Sequence, residues 1–195
     1  MWIKTGLAAL AGLACGAALA LLLVFGPLEI GGTQAGPWKT NLLIGDPSAS
    51  AVVRAAIARR GLLALNRSEA IYFNATSDEN GERLREECIY QVSFEREPDA
   101  RWWSLTLYAD DDFLAVNGDN AHSITAEHAA ASAEDPMTVT IAASQPGTPT
   151  YWMSSHNAGR FALTLRLYQP DASISASPAS AALPLIERLS CRGEA

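Results

Sequence analysis

Histidine and cysteine are scarce in this sequence, with three of each among 195 residues. A metal-bearing strand needs two ligands separated by one residue, so that both face the same way. No His-x-His occurs, and His122, His128 and His156 are scattered, so no transition-metal centre is expected. Also missing are a Gly-x-Ser-x-Gly elbow, a phosphate-cradling loop and a dinucleotide fingerprint. No cofactor is therefore expected. Ser154-Ser155-His156 puts a hydroxyl beside an imidazole, but adjacent residues rarely form a nucleophile–base pair.

Charge is absent over one long stretch. Thr5 to Phe25 spans 21 residues without Asp, Glu, Lys or Arg, and as a helix it would extend about 31 Å. That matches a hydrocarbon core of roughly 30 Å and exceeds the usual apolar run of a secretory signal, about 7–15 residues. A retained signal anchor is the expectation. A cleaved signal, with Thr33-Gln34-Ala35 as its site, is the alternative. Lys4 precedes the apolar run, so by the positive-inside rule the remainder is exported. The expected location is the bacterial inner membrane, single-pass, with the carboxy-terminal domain in the periplasm.

Basic residues are in the minority beyond that run: 13 Lys+Arg stand against 21 Asp+Glu. Such a domain repels phosphate backbones, which excludes nucleic acid as a partner. Residues 1–36 therefore read as anchor and linker, and 37–195 as an exported domain of ordinary size. Within the anchor, Ala8, Gly12, Gly16 and Ala20 recur every fourth residue. This is the small-residue ridge that lets two membrane helices approach, so a homodimer through Gly12 and Gly16 is a possible arrangement. Cys15 lies inside the apolar run and has Gly12, not the expected leucine, three residues before it, so lipidation is not expected. Cys88 and Cys191 are the exported cysteines, and an oxidising compartment favours a disulfide between them over two separate buried thiols.

Along the exported part, Asp46-Pro47 reads as a helix start, with Val52, Val53, Ala56 and Ile57 on one face and Gly61 as the stop. Alternation then takes over. Glu69–Ala75 is strand-like, Asp78–Gly81 a turn, and Cys88, Tyr90, Val92 and Phe94 share the face of a second strand, the two forming a hairpin with a long loop. In Arg101–Tyr108 two tryptophans open a strand: Trp103, Leu105 and Leu107 point one way, Trp102, Ser104, Thr106 and Tyr108 the other. Asn117-Gly118 is a turn and Met137–Ala142 a short strand. Phe161, Leu163, Leu165 and Leu167 alternate with Ala162, Thr164, Arg166 and Tyr168. Asp171–Ala182 reads as a loop, and Leu183–Cys191 docks back through Cys191. The fold class is mainly β: a jelly-roll-like antiparallel β-sandwich with one or two short helices, preceded by a transmembrane helix.

Glu69-Ala70-Ile71-Tyr72-Phe73, the run Ala100–Tyr108, Arg166-Leu167-Tyr168-Gln169-Pro170 and the final Leu183–Arg188 resemble the family called domain of unknown function 1214. The short, membrane-anchored bacterial members are the nearest in character. The resemblance covers roughly residues 38–191 and implies a jelly-roll-like β-sandwich. Members often carry Asn-Trp-Leu-Pro before the last long strand, whereas this chain has Tyr151-Trp152-Met153-Ser154. The family brings no catalytic set to carry over.

Three constellations remain. Asp110-Asp111-Asp112, with Asn117 and Asp119, offers oxygens for calcium, but the order departs from a calcium loop and consecutive residues diverge. A solvated strand end is the plainer reading. Glu69 and Glu87 are available carboxylates whose separation the sequence does not set. The third is a surface. If the two long strands are neighbours, Trp102, Thr106 and Tyr108 share a face with Thr164, Arg166 and Tyr168, and rings with an arginine and hydroxyls make a sugar or peptide groove. The alternative is a second core layer, with Arg166 paired to a buried carboxylate such as Glu69. The expected function is a non-enzymatic envelope binding or accessory module for a carbohydrate or protein partner. The competing reading is an envelope hydrolase using carboxylates near the tryptophan strand, Glu69 or the Asp110 cluster.

Overall fold

The computed structural model describes residues 2–25, 32–59, 65–131, 137–147 and 151–193. Gly31 of the linker and Gly61, the expected helix stop, lie outside the described residues. The apolar run forms α1 (Trp2–Phe25). It is one helix long and apolar enough to cross a membrane, by length and composition. Leu7, Leu10 and Leu13 on it are exposed, and a side chain built at Gly12 or Gly16 would meet nothing within 4 Å.

Among the described residues ten strands follow in two sheets. One sheet holds β1 (Thr33–Ala35), β2 (Trp38–Thr40), β3 (Ala70–Ala75), β5 (Ala100–Ala109), β6 (Ser123–Thr125) and β9 (Phe161–Pro170), ordered β1-β2-β3-β9-β5-β6. The other holds β4 (Cys88–Ser93), β7 (Thr138–Ala142), β8 (Tyr151–Ser154) and β10 (Leu185–Cys191), ordered β10-β4-β7-β8. All pairs are antiparallel except β7 with β8. The chain is thus mainly β and sandwich-like, as expected. Between β1 and β2, Gly36-Pro37 is a two-residue hairpin turn rather than linker; Gly36 takes φ 56°, which its missing Cβ permits, and Pro37 supplies the fixed φ that follows.

Alternation along the two long strands decides which side is core. Trp103, Leu105, Leu107, Phe161, Leu163, Leu165 and Leu167 are buried and face the second sheet. Phe94 meets Trp103 at a 4.8 Å ring separation, and Tyr90 meets Phe161 edge-on at 5.8 Å. Each such ring removes some 150–250 Å² of surface from water, so these contacts add to the aliphatic burial that holds the sheets together. At the far edge, β10 pairs with β4 so that Cys191 lies opposite Cys88, and the two are joined by a disulfide across 103 residues of sequence. The expected bridge is present. In the chain-entropy picture a loop of that size stabilises the fold by about 4–5 kcal/mol.

Four local expectations are corrected. The helix after Asp46 is α2 (Ala51–Arg59), starting later than the Asp-Pro pair suggested. Asp46 instead accepts from the backbone N–H and hydroxyl of Ser48, closing a local turn that competes with helix. β3 and β4 do not form a hairpin. They belong to different sheets, because the loop between them carries the chain from one layer to the other. Asp171–Ala182 is not all loop: Asp171 caps α4 (Ala172–Ala176) by accepting from Ser173, and a 3-10 turn follows at Pro178–Ser180. With α3 (Ala126–Ala130), three short α-helices accompany the sheets among the described residues, instead of one or two.

Candidate functional site

The outer face of the larger sheet carries the residues singled out above. β5 and β9 are neighbours, with Trp102 opposite Tyr168, Ser104 opposite Arg166, Thr106 opposite Thr164 and Tyr108 opposite Ala162. β3 adds Tyr72 opposite Arg166 and Asn74 opposite Thr164. Side chains in register across antiparallel strands share a face. Trp102, Thr106, Tyr108, Thr164, Arg166 and Tyr168 therefore occupy one surface, opposite the one that Trp103 and Leu165 turn to the second sheet. The second sheet does not cover this face, yet Tyr72, Ser104, Thr106 and Thr164 on it are buried.

The polar groups on this face form two clusters. In the first, Arg166 Nη2 donates to the Tyr108 hydroxyl at 2.7 Å. Its guanidinium carbon lies 5.2 Å from the Tyr108 ring centre and 6.0 Å from that of Tyr72, within cation–π range. Arg166 sits level with Ser104, and Tyr108 lies four residues further along β5, so the bridge runs along the sheet over the Thr106–Thr164 pair. Small side chains at the intervening positions make that possible. Both threonines are buried, and Thr164 donates its hydroxyl proton to Asn74 Oδ1 at 2.7 Å. Burial raises the pKa of the Tyr72 phenol, an effect opposed by its bond with the Leu65 backbone and by Arg166, so it stays protonated at neutral pH.

In the second cluster the Trp102 and Tyr168 rings lie 5.2 Å apart at a tilt of 58°. The Trp102 indole N–H donates to Glu127 Oε1 at 2.7 Å, and the Thr125 hydroxyl donates to Glu127 Oε2 at 2.6 Å. These bonds, that from Thr125 first and that from Trp102 second, hold the Glu127 carboxyl below the ordinary glutamate range. Backbone N–H of Thr125 donates to His128 Nδ1, which fixes that histidine as a helix-end residue. Glu127 is thus an ionised acceptor at neutral pH, unsuited to donating a proton as a general acid.

Other residues fall elsewhere. Asp110 pairs with Arg160 at 2.9 Å and Arg83 at 3.3 Å. The Arg160 hydrogen bond, with Arg83 adding to it, lowers the Asp110 pKa. Asp111 accepts from the Phe113 backbone, and Asp112 turns the chain at φ 66°, so the aspartates diverge as three consecutive residues must. Asn117 and Asp119 are committed to the 154–157 loop: Asn117 donates to the His156 carbonyl and Asp119 accepts from Ser154 at 2.6 Å. Ser154 thereby gives its proton to a carboxylate, and no hydrogen bond joins its hydroxyl to the His156 ring. Among the described residues no group of three or more His, Cys, Asp or Glu is placed to hold a metal ion. Glu69 borders the larger sheet and Glu87 the smaller one. Glu69 is not the partner of Arg166; the Tyr108 hydroxyl takes that place, because β5 brings it within reach along the sheet.

Sequence reading missed Tyr72, Asn74 and Glu127 as members of this face. The first two were legible, since Ala70, Tyr72 and Asn74 alternate with Ile71, Phe73 and Ala75, but their neighbour was not. Glu127 comes from α3 and has no sequence signal linking it to Trp102. The Tyr151–Ser154 segment is β8, where the retained Trp152 donates to the Ala142 carbonyl at 3.0 Å.

Comparison with known proteins reaches the fold and the family. The VPA0106 protein of Vibrio parahaemolyticus is similar in structure, with a TM-score of 0.57 and 22% identity over 73% of this chain. This chain covers 36% of the length of that protein. A protein from Burkholderia cenocepacia overlaps more loosely, with a TM-score of 0.46 and 15% identity, covering 62% of this chain and 29% of that one. No curated protein matches the sequence. The family profile described as protein of unknown function, DUF1214, matches residues 69–172, a span running from the strand that carries Tyr72 through Arg166 and Tyr168. By that match the chain belongs to the DUF1214 family.

Proposed function

We propose that this protein is a non-enzymatic envelope module that binds a carbohydrate on the outer face of its larger sheet. One observation carries the reading: the Trp102 and Tyr168 rings and the part-buried Arg166, with donors beyond its bond to Tyr108, lie on one face that the second sheet does not cover. Sugars are held by stacking on aromatic rings and by a few oriented hydrogen bonds, and both elements are available here. The proposed setting is the periplasm, with α1 retained in the inner membrane. Support comes from the length and apolarity of α1, from Lys4 at its amino-terminal end and from the Cys88–Cys191 disulfide. The open Gly12/Gly16 ridge is proposed as a self-association face in the same membrane. A protein partner on the same sheet face is the other outcome the test distinguishes.

The test uses the full chain in detergent micelles on a glycan array. Binding to a defined set of glycans is expected, lost in Trp102→Ala and retained in Leu189→Ser, a change at an exposed residue of the other sheet. An array without signal from folded wild-type protein overturns the carbohydrate reading.

A further inference from the structure

We infer that Arg166 is the recognition point for a carboxylate, so that the glycan bound on this face is an acidic one. The inference rests on the carbohydrate reading above and narrows it. Four arginines elsewhere on the sandwich form ion pairs among the described residues, Arg83 and Arg160 with Asp110, Arg96 with Asp99, and Arg188 with Asp78, while Arg101 donates to the neutral Gln169. Arg166 is in none of these pairs. Its hydrogen bond among the described residues goes to a neutral phenol, and the groups around it are rings and hydroxyls.

A guanidinium has five N–H donors, and withdrawing it from water without an anion is costly unless those donors are satisfied. Arg166 is part-buried yet spends one donor on Tyr108. That bond, together with the two rings, holds the planar fork in place before any ligand arrives. Pre-ordering of this kind suits bidentate capture of a carboxylate, which matches the fork's geometry. The carboxylate nearest in kind on this face, Glu127, is already committed to Trp102 and Thr125. The protein as a whole carries a net charge of −7, so an anion gains nothing from its general field and must be held by a local cation. Trp102 and Tyr168, further along the same strands, supply the stacking surface for a sugar ring. A carboxylated sugar, such as a uronate or a lactyl-bearing hexosamine, combines the two demands in one ligand.

The experiment is calorimetric titration of the full chain in detergent micelles. Its probes are galacturonate, mannuronate and muramic-acid oligomers, each compared with the same oligomer methyl-esterified. At least one acid form should bind about tenfold or more tighter than its ester, a preference that weakens as salt is raised. Arg166→Gln should abolish the preference and leave the weaker ester binding intact. Tyr108→Phe, which keeps the cation but frees the fork, should reduce it and serves where Arg166→Gln does not fold. Equal binding of acid and ester overturns the carboxylate inference while the carbohydrate reading stands. Binding of neither form overturns both. Binding of a polyglutamate peptide but of no acidic oligosaccharide overturns the glycan class.

Discussion

Arg166 and Tyr108 meet along the outer face of the sheet, with Thr106 and Thr164 lying beneath the 2.7 Å bond that joins them. The pair spans two threonines that are buried, as are Tyr72 and Ser104 on the same face. It also sets the energetic expectation for Arg166. A buried salt bridge broken on one side costs about 3–5 kcal/mol, because a charge is left uncompensated. Removing Arg166 strands no carboxylate. Arg166→Ala should therefore lose only about 1.5–3 kcal/mol, the scale of one charge-assisted hydrogen bond. Urea unfolding would check this, and a loss near the larger figure would reveal a buried anion that depends on the arginine.

The disulfide gives the largest expected stability change. Cys88→Ser with Cys191→Ser, or reduction of the native protein, should lower unfolding free energy by about 4–5 kcal/mol in the chain-entropy picture. Thiol titration of the denatured, unreduced chain should find only Cys15 reactive, with three thiols per chain after reduction. Three thiols before reduction would contradict the bridge.

Acid should uncouple the Trp102 cluster. Hydrogen bonds from Thr125 and Trp102 depress the Glu127 pKa in the folded protein. A depressed folded-state pKa means that the contribution is present above the unfolded value, ordinarily about 4.3. It is lost as pH falls through the lower, folded-state value. The Trp102 indole N–H resonance should stay constant from neutral pH to about 5 and shift below the ordinary glutamate range. Glu127→Gln should remove that transition; a transition that persists in the variant would assign it to another carboxylate.

Asp78 is a buried carboxylate with a structural task. One oxygen accepts from the Asn80 and Glu82 backbones, and the other lies 3.7 Å from Arg188 Nε, an ion pair too long to be a hydrogen bond. Asp78→Ala strands two turn N–H groups and should cost about 1–3 kcal/mol. Asp78→Asn keeps an acceptor for the turn and should cost less. Equal losses in thermal melts would move the weight from the turn to the ion pair.

Strand alternation makes much of the larger sheet readable from its residues. Trp103, Leu105 and Leu107 against Trp102, Thr106 and Tyr108 name the two faces of β5, and Phe161 to Leu167 do the same for β9. Side chains in a strand point alternately up and down by covalent geometry, so the facing of each residue is local information. Layer assignment is not local. The loop after Ala75 carries the chain into the other sheet, which alternation in β3 and β4 cannot reveal. The start of α2 is hidden for a related reason: Asp46 has two local uses, a cap and a turn, and Ser48 decides for the turn.

The sequence alone thus determined the apolar amino-terminal helix, the mainly β character, Cys88 and Cys191 as the cysteines to pair, and which residues of each long strand share a face. Each of these follows from composition, from a period of two, or from which cysteines were available. Tertiary structure alone decided that the Trp102/Arg166 face lies outside the sandwich, that Tyr72 and Asn74 join it, and that Arg166 leans on Tyr108 instead of a carboxylate. Those outcomes depend on which strands become neighbours and how far a side chain reaches across them, and both are set by the packing of the whole sheet.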